Sequence, residues 1–145
     1  MSSETVTTLR MTRVINADRQ AVWDAWTKPE HMRKWACPAP DGVTSIVSDF
    51  VVGGNFDLVM DVDGQGHHAF GVYKEIDEPH RLVYTWDWKE DENAMGETLV
   101  TVEFNLVDGG TEVVLVHGGF PATEARQGHE EGWSACLEHF EALFA

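Results

Sequence analysis

The chain has 145 residues, of which 43% are hydrophobic and 24% are charged. This apolar content suffices for one globular core, and the length is too short for two ordinary domains, so we expect a single domain over residues 1–145. Ten Lys and Arg stand against 25 Asp and Glu, for a net charge of −15 at pH 7. Such an acidic balance disfavours nucleic acid and anionic membrane surfaces as partners, because binding to either depends on cationic side chains.

No segment has the composition of a secretion signal or a membrane anchor. No stretch reaches the roughly eighteen apolar residues that a spanning helix needs. Cys37 and Cys136 are the only cysteines, and neither lies in a zinc-type spacing. We therefore expect a soluble, cytoplasmic protein with reduced cysteines and no membrane insertion.

The first part of the chain predicts one strand and two short helices. Residues 5–15 alternate between apolar and polar side chains, which is the period of a half-buried strand. Asp18 can cap a following helix, which Pro29 ends. Since proline is also tolerated in a first helical turn, a second short helix with Met32 and Trp35 three residues apart is expected next.

Six strands and a long helix are predicted for the rest of the chain. Residues 43–117 alternate in polarity between turn signals at residues 53–54, 63–66, 78–80 and 108–110. Short turns favour an antiparallel meander. From about residue 123 to residue 144, apolar side chains recur at helical spacing, which predicts an amphipathic helix. The order predicts an α+β fold in which a curved, one-sided sheet wraps the last helix and encloses a cavity.

Several short segments carry a family resemblance that extends nearly end to end. They are residues 13–17 (RVINA), 22–30 (VWDAWTKPE) with Trp35, 49–54 (DFVVGG), 71–76 (GVYKEI), 81–86 (RLVYTW), Thr111, 117–120 (HGGF) and 132–133 (GW). Through them the chain resembles the START-like superfamily, also called helix-grip, SRPBCC or Bet v-like. Within it, the chain is similar to the branch homologous to the carboxy-terminal domain of the heat-shock protein ATPase activator. The resemblance implies a seven-stranded antiparallel sheet that grips the last helix around a mostly apolar cavity.

The resemblance leaves three functions open, because lipid carriers, hormone receptors, polyketide cyclases and co-chaperone domains share this fold. The first is binding of a small hydrophobic ligand, lipid-like or aromatic. The second is a co-chaperone-like module with a chaperone-type protein partner. The activator has a further amino-terminal domain, and only a few residues precede the first strand here, so we expect the full co-chaperone role less. The third is a cyclase- or hydrolase-like enzyme.

Ligand binding is favoured over turnover, because the sequence contains no nucleophile elbow, phosphate-binding loop or dinucleotide motif. We assign no catalytic residue and expect no cofactor. The oligomeric state is expected to be a monomer or a homodimer.

The candidate ligand-binding residues are side chains expected to face the cavity. They are Met60, Phe70, Tyr73, Trp86, Val102, Phe104, His117, Phe120, His129, Trp133 and Leu137. Flat aromatic surface suits a ring-bearing or acyl ligand, although aromatic residues at such spacings more often fill cores. We expect Trp23, Trp26 and Trp35 to pack the small helices against the sheet, whereas Trp86 and Trp133 are the better ligand contacts.

Three polar residues have two interpretations each. His117 and His129 are either polar anchors or bases in the cavity, or core histidines bonded to the backbone, which we favour because no carboxylate partner is evident. No HxxxH spacing occurs, so a metal site is not expected. Arg13 shares a strand face with apolar residues. It either anchors a ligand carboxylate or forms an internal ion pair with a carboxylate such as Glu75, and the ion pair is favoured.

Two further features remain open. Gly128 and Gly132 lie inside the predicted last helix, where each costs about 1 kcal/mol relative to alanine. They indicate either a close approach or access requirement, or a kinked or late-starting helix. The acidic run at residues 89–92 is either a solvated surface or a docking site for a basic partner.

Overall fold

The computed structural model describes residues 7–39, 42–90 and 95–145, which form seven strands and three helices. In chain order they are β1 (Thr8–Ile15), α1 (Arg19–Thr27), α2 (Pro29–Met32), β2 (Val43–Ser48), β3 (Asn55–Val62), β4 (Gln65–Asp77), β5 (Arg81–Trp88), β6 (Thr98–Val107), β7 (Gly110–Gly118) and α3 (Thr123–Ala142). The predicted order of one strand, two short helices, six strands and a long helix is confirmed. Residues 5 and 6 of the predicted first strand, and residues 91 and 92 of the acidic run, lie outside the described residues.

The strands form one curved antiparallel sheet in the order β1-β7-β6-β5-β4-β3-β2. Strands β2 to β7 each pair with their neighbour in sequence, as the short turns predict. Strand β1 closes the order by pairing with β7, where Leu9 lies opposite His117. The two edge strands, β1 and β2, are connected by the segment that contains α1 and α2. This is the expected helix-grip fold.

Helix α1 is fixed to the sheet by two tryptophans. Asp18 occupies the N-cap position with an extended backbone, although its side chain makes no capping hydrogen bond. Pro29 opens α2 and ends α1, because proline has no backbone N–H to continue the helical ladder. Trp23 and Trp26 are buried, and both make edge contacts with Phe104 of β6, at centroid distances of 5.3 Å and 6.2 Å.

Helix α3 covers the sheet and is also tied to edge strand β1. It runs without interruption through Gly128 and Gly132, so the late-starting alternative is wrong. Its buried face consists of Trp133, Cys136, Leu137 and Phe140. Near its start, Arg126 Nε donates a hydrogen bond of 2.9 Å to the Thr8 carbonyl oxygen. Among the described residues, no helix has both the length and the apolar character needed to cross a membrane.

Gly71 lies where β4 passes tightly over its neighbours, and we expect Gly71→Ala to lower the free energy of unfolding by about 1–3 kcal/mol. A Cβ at this position would overlap the Thr85 carbonyl oxygen and lie 2.6 Å from Cε1 of Phe56. Urea denaturation measures the effect. Gly66→Ala on the same strand is the matched control, because its Cβ would meet nothing within 4 Å. Equal losses at the two positions would contradict the steric explanation.

Candidate functional site

A cavity of about 500 Å³ lies between the sheet and α3. Its volume falls within the range of roughly 300–1,000 Å³ that is typical of small-molecule sites. From the sheet, the wall includes Phe56, Leu58, Met60, Val62, His67, Tyr73, Leu82, Tyr84, Trp86 and Trp88. From α3 it includes Glu124, Ala125, Gly128, His129, Gly132, Trp133 and Cys136. The remaining wall residues are Trp26, Thr27, Met32, Trp35, Ala36, Pro38, Phe50 and Met95.

Aromatic rings give the cavity wall flat apolar surfaces. Trp26 and Trp133 lie nearly parallel, with an interplanar angle of 14° and a centroid distance of 6.0 Å. Trp86 lies 5.8 Å from Trp133, and Phe56 lies 6.0 Å from Trp86. Planar ring surfaces of this kind suit offset stacking or edge contact with a flat ligand.

The predicted site residues divide between the cavity wall and the core behind it. Met60, Tyr73, Trp86, His129 and Trp133 lie in the wall. Val102, Phe104, His117, Phe120 and Leu137 are buried but lie outside the wall. The core residues were predicted as cavity residues because alternation identifies the inner face of a strand but does not show which inner side chains border open space.

Phe70 does not line the cavity, which corrects its prediction. It lies on the outer face of the sheet, where Lys89 Nζ is 5.6 Å from its ring centroid. Tyr73, on the same strand, faces the cavity. The two are three residues apart, and strand side chains alternate between faces, so a regular β4 cannot place both of them inside.

Arg13 does not serve the cavity either. Its Nε lies 3.1 Å from Glu141 Oε1 of α3, and both side chains are partly exposed. Arg13 therefore forms an ion pair, as favoured from the sequence, but the pair is partly exposed and not internal, and its partner is Glu141 in place of Glu75. Glu75 instead pairs with Arg81 at 3.2 Å. The partner of Arg13 is thus a carboxylate of the protein and not of a ligand, and the ion pair links β1 to α3.

His117 is a core residue with both ring nitrogens hydrogen-bonded. Trp133 Nε1 donates to its Nδ1 at 3.1 Å, so the proton of the neutral ring lies on Nε2. Nε2 donates to Thr98 Oγ1 at 2.8 Å, and that hydroxyl donates to the Trp86 carbonyl oxygen. Burial, with a smaller effect of nearby His129, lowers the pKa of His117 to about 2. Through these hydrogen bonds, His117 links β5, β6 and β7 to one another and to α3.

His129 lies in the cavity wall, yet its nitrogens are also engaged. Nδ1 donates to the Ala125 carbonyl oxygen at 2.8 Å, and Nε2 accepts from Trp88 Nε1 at 3.0 Å. Burial lowers the pKa of His129, and the hydrogen bond to Ala125 opposes that shift. The only lone pair of the ring is occupied by an indole N–H, so His129 acts as a fixed support for Trp88.

Three wall residues, Tyr73, Tyr84 and Cys136, carry ionisable hydroxyl or thiol groups. Tyr73 Oη lies 2.8 Å from Ser48 Oγ, and burial raises the pKa of Tyr73. Burial also raises the pKa of Tyr84, while a hydrogen bond from Trp26 opposes that effect. Cys136 is buried, which raises the pKa of its thiol. All three groups are therefore neutral near pH 7.

Several wall residues were not among the predicted site residues. Tyr84 and Trp88 share a face of β5 with Trp86, so the strand period that identified Trp86 also points to them. Gly128 and Gly132 line the cavity from α3. A Cβ at Gly128 would meet nothing within 4 Å, and one at Gly132 would meet only Pro38, at 3.7 Å. Within the described part of the chain, no segment crowds these two glycines, and they leave the cavity wider than side chains would.

The family described as "Activator of Hsp90 ATPase homolog 1-like protein" matches residues 16–145. The chain belongs to this family. The match confirms the resemblance inferred from the sequence segments. No curated protein matches the chain significantly.

Solved structures support the same assignment. A protein from Chromobacterium violaceum is 26% identical, with a TM-score of 0.82 over 94% of this chain and 96% of that chain. A family member from Aeromonas hydrophila is 26% identical, with a TM-score of 0.74 over 93% of this chain and 90% of that chain. A protein from Nitrosomonas europaea is 24% identical, with a TM-score of 0.80 over 97% of this chain and 95% of that chain, and shows the shared fold.

Proposed function

We propose that this protein binds a small apolar ligand in the cavity between the sheet and α3. The observation that carries the proposal is the cavity of about 500 Å³ with its aromatic wall. Protein interiors are normally close-packed, with few voids larger than a water molecule. A space of this size beside Trp26, Trp86 and Trp133 is explained if a ligand fills it and buries those rings.

Binding accounts for the site better than turnover does. A general base must have a lone pair free to reach the proton it removes. The lone pair of His129 accepts from Trp88, and that of His117 accepts from Trp133. Burial also weakens both rings as bases by lowering their pKa values. The hydrogen bonds of both histidines favour a structural role in which they stabilise the positions of Trp88 and Trp133 in the cavity wall.

Native mass spectrometry of the purified protein, followed by denaturing extraction, tests the proposal. We expect a stoichiometric apolar adduct from the expression host, or saturable binding of an added apolar probe such as fluorene. An unliganded mass together with no saturable fluorene binding would contradict it.

Filling the cavity from α3 provides a second test. We expect Gly132→Leu to weaken fluorene binding about tenfold or more, because the new side chain occupies ligand space. The same change leaves thermal stability equal or raised, because leucine forms helix better than glycine by roughly 0.8 kcal/mol. Gln127→Leu is the matched control, since Gln127 is exposed on the same helix outside the cavity wall. Equal binding of fluorene by the two variants would indicate that fluorene binds outside the cavity.

Family membership favours one alternative, a co-chaperone-like module. The family description names an activator of an Hsp90 ATPase. In this alternative, outward acidic residues dock a chaperone and the cavity has lost its use. A measurement of Hsp90 ATPase rate with and without this protein decides it. Stimulation that persists in Gly132→Leu would favour the module, and no stimulation would count against it.

A further inference from the structure

The charges of the cavity wall restrict its ligand, an inference that rests on the proposed function. All ten Lys and Arg residues of the sequence fall within the described residues, and none of them lies in the wall. Among the described wall residues, Glu124 is the only carboxylate. A carboxylate or phosphate group inside would therefore be buried with no lysine or arginine to balance its charge, which is unfavourable.

One wall residue has an unused hydrogen-bond donor. Trp86 is 8% exposed, and its Nε1 is the only shielded side-chain nitrogen or oxygen without a hydrogen-bond partner among the described residues. Other indoles of the wall are paired: Trp88 donates to His129, and Trp133 donates to His117. Buried unpaired donors are rare in proteins, and an indole N–H can only donate.

A second donor lies beside Trp86. Tyr84 precedes it by two residues on the same face of β5, and both side chains are in the wall. The Tyr84 oxygen accepts a hydrogen bond from Trp26. A phenol can donate its own proton while its oxygen accepts. This part of the wall thus offers donors and no cation.

We propose that the ligand is an uncharged, ring-bearing molecule with a carbonyl- or ether-type oxygen, which accepts a hydrogen bond from Trp86 Nε1. The rings of Trp26 and Trp133 face the flat part of such a molecule. The Trp86 ring stands edge-on to Trp88 at 5.5 Å, and its backbone carbonyl is held by Thr98. Nε1 is shielded from solvent in this structure, so the proposed hydrogen bond requires the indole to turn toward the ligand.

Three probes that share one ring skeleton separate the contributions of the apolar rings, the acceptor oxygen and a negative charge to binding. Fluorene has no acceptor, 9-fluorenone adds one carbonyl oxygen, and 9-fluorenone-2-carboxylate adds a charge to the ketone. Equilibrium dialysis gives a dissociation constant for each. We expect 9-fluorenone to bind most tightly and the carboxylate at least tenfold more weakly than the ketone. Tightest binding of the carboxylate, or of fluorene, would overturn the inference while leaving ligand binding itself in place.

The role of Trp86 is tested with Trp86→Phe, which keeps an aromatic ring and removes the donor. We expect the preference for 9-fluorenone over fluorene to fall about tenfold, which is the size of one hydrogen bond. Trp133→Phe is the matched control, because that indole already donates to His117. An unchanged preference in Trp86→Phe, or an equal fall in both variants, would overturn the assignment of Trp86.

A measurement on the unaltered protein covers the case in which a variant does not fold. In ¹⁵N-labelled protein, the indole N–H signal of Trp86 is expected to move downfield with 9-fluorenone and to show no such shift with fluorene. The same response to both probes would overturn the proposed hydrogen bond. If no probe binds at all, the proposed function fails as well, so the two failures are distinguishable.

Discussion

Phe140→Ala is expected to lower the free energy of unfolding by about 3–5 kcal/mol, the usual cost of truncating a buried phenylalanine. Phe140 lies on α3 and has 0% exposure. Its ring makes edge contacts with Trp26 at 5.2 Å and Trp35 at 5.1 Å. Those indoles are rigid and already packed against each other, at 4.4 Å, so they cannot collapse into the space left behind. Urea denaturation followed by circular dichroism measures the loss.

Phe144→Ala is the matched control for this effect. Phe144 is partly buried and contacts the Phe140 ring at 5.5 Å from beyond the end of α3. We expect less than half of the loss seen for Phe140→Ala, because less apolar surface leaves water when Phe144 packs. Similar losses at both positions would show that the contacts of Phe140 with the indoles do not hold the helix. Phe140 lies outside the cavity wall, so folded Phe140→Ala protein is expected to retain fluorene binding.

The order of strands and helices could be predicted from the sequence because each element has a local signal. The alternation in β3, β5 and β6 and the helical stripe of α3 follow directly from side-chain periodicity. Turn residues then mark the meander connections. The pairing of β1 with β7 joins segments that lie far apart in the chain, and no local signal predicts it.

The cavity could be predicted only in part, because its extent depends on how far α3 stands from the sheet. Trp86 and Phe104 both alternate inward on their strands, and no local pattern distinguishes them. In the structure Trp23 and Trp26 cover Phe104, whereas Trp86 borders open space. For Phe70, strand alternation predicts the outward orientation. It is three residues from Tyr73, so the two side chains lie on opposite faces of the strand.

Lowering the pH from 7.5 to 5 is expected to destabilise the protein through His117 by about 2 kcal/mol. Burial lowers the pKa of His117 to about 2 in the folded protein, whereas an unfolded chain has the ordinary value of 6.5. Below pH 6.5 the unfolded chain therefore takes up a proton that the folded chain does not. The stabilisation is fully present above that pH, and it falls by about 1.4 kcal/mol per pH unit as the pH drops toward the folded value.

Two substitutions separate the titration of His117 from its hydrogen bonds. Glutamine has no titration in this range, and its amide offers one acceptor to Trp133 and one donor to Thr98, as His117 does. Urea denaturation gives the free energy of unfolding of wild type and His117→Gln. Between pH 7.5 and 5, we expect the difference between these two free energies to change by about 2 kcal/mol in favour of the variant. His117→Leu also lacks the titration but leaves both partners unpaired, so it is expected to be destabilised at every pH.

The comparison also removes the effect of the other ionisable groups. As the pH falls, protonation of carboxylates relieves the repulsion that accompanies a net charge of −15. Burial of His129 also lowers its pKa, so His129 causes a loss of stability in the same direction as His117. Wild type and His117→Gln share both effects, so only the titration of His117 changes the difference between them. Parallel pH curves for the two proteins would show that His117 accepts a proton as readily in the folded protein as in the unfolded chain. Burial of the ring would then not hold it in its neutral form.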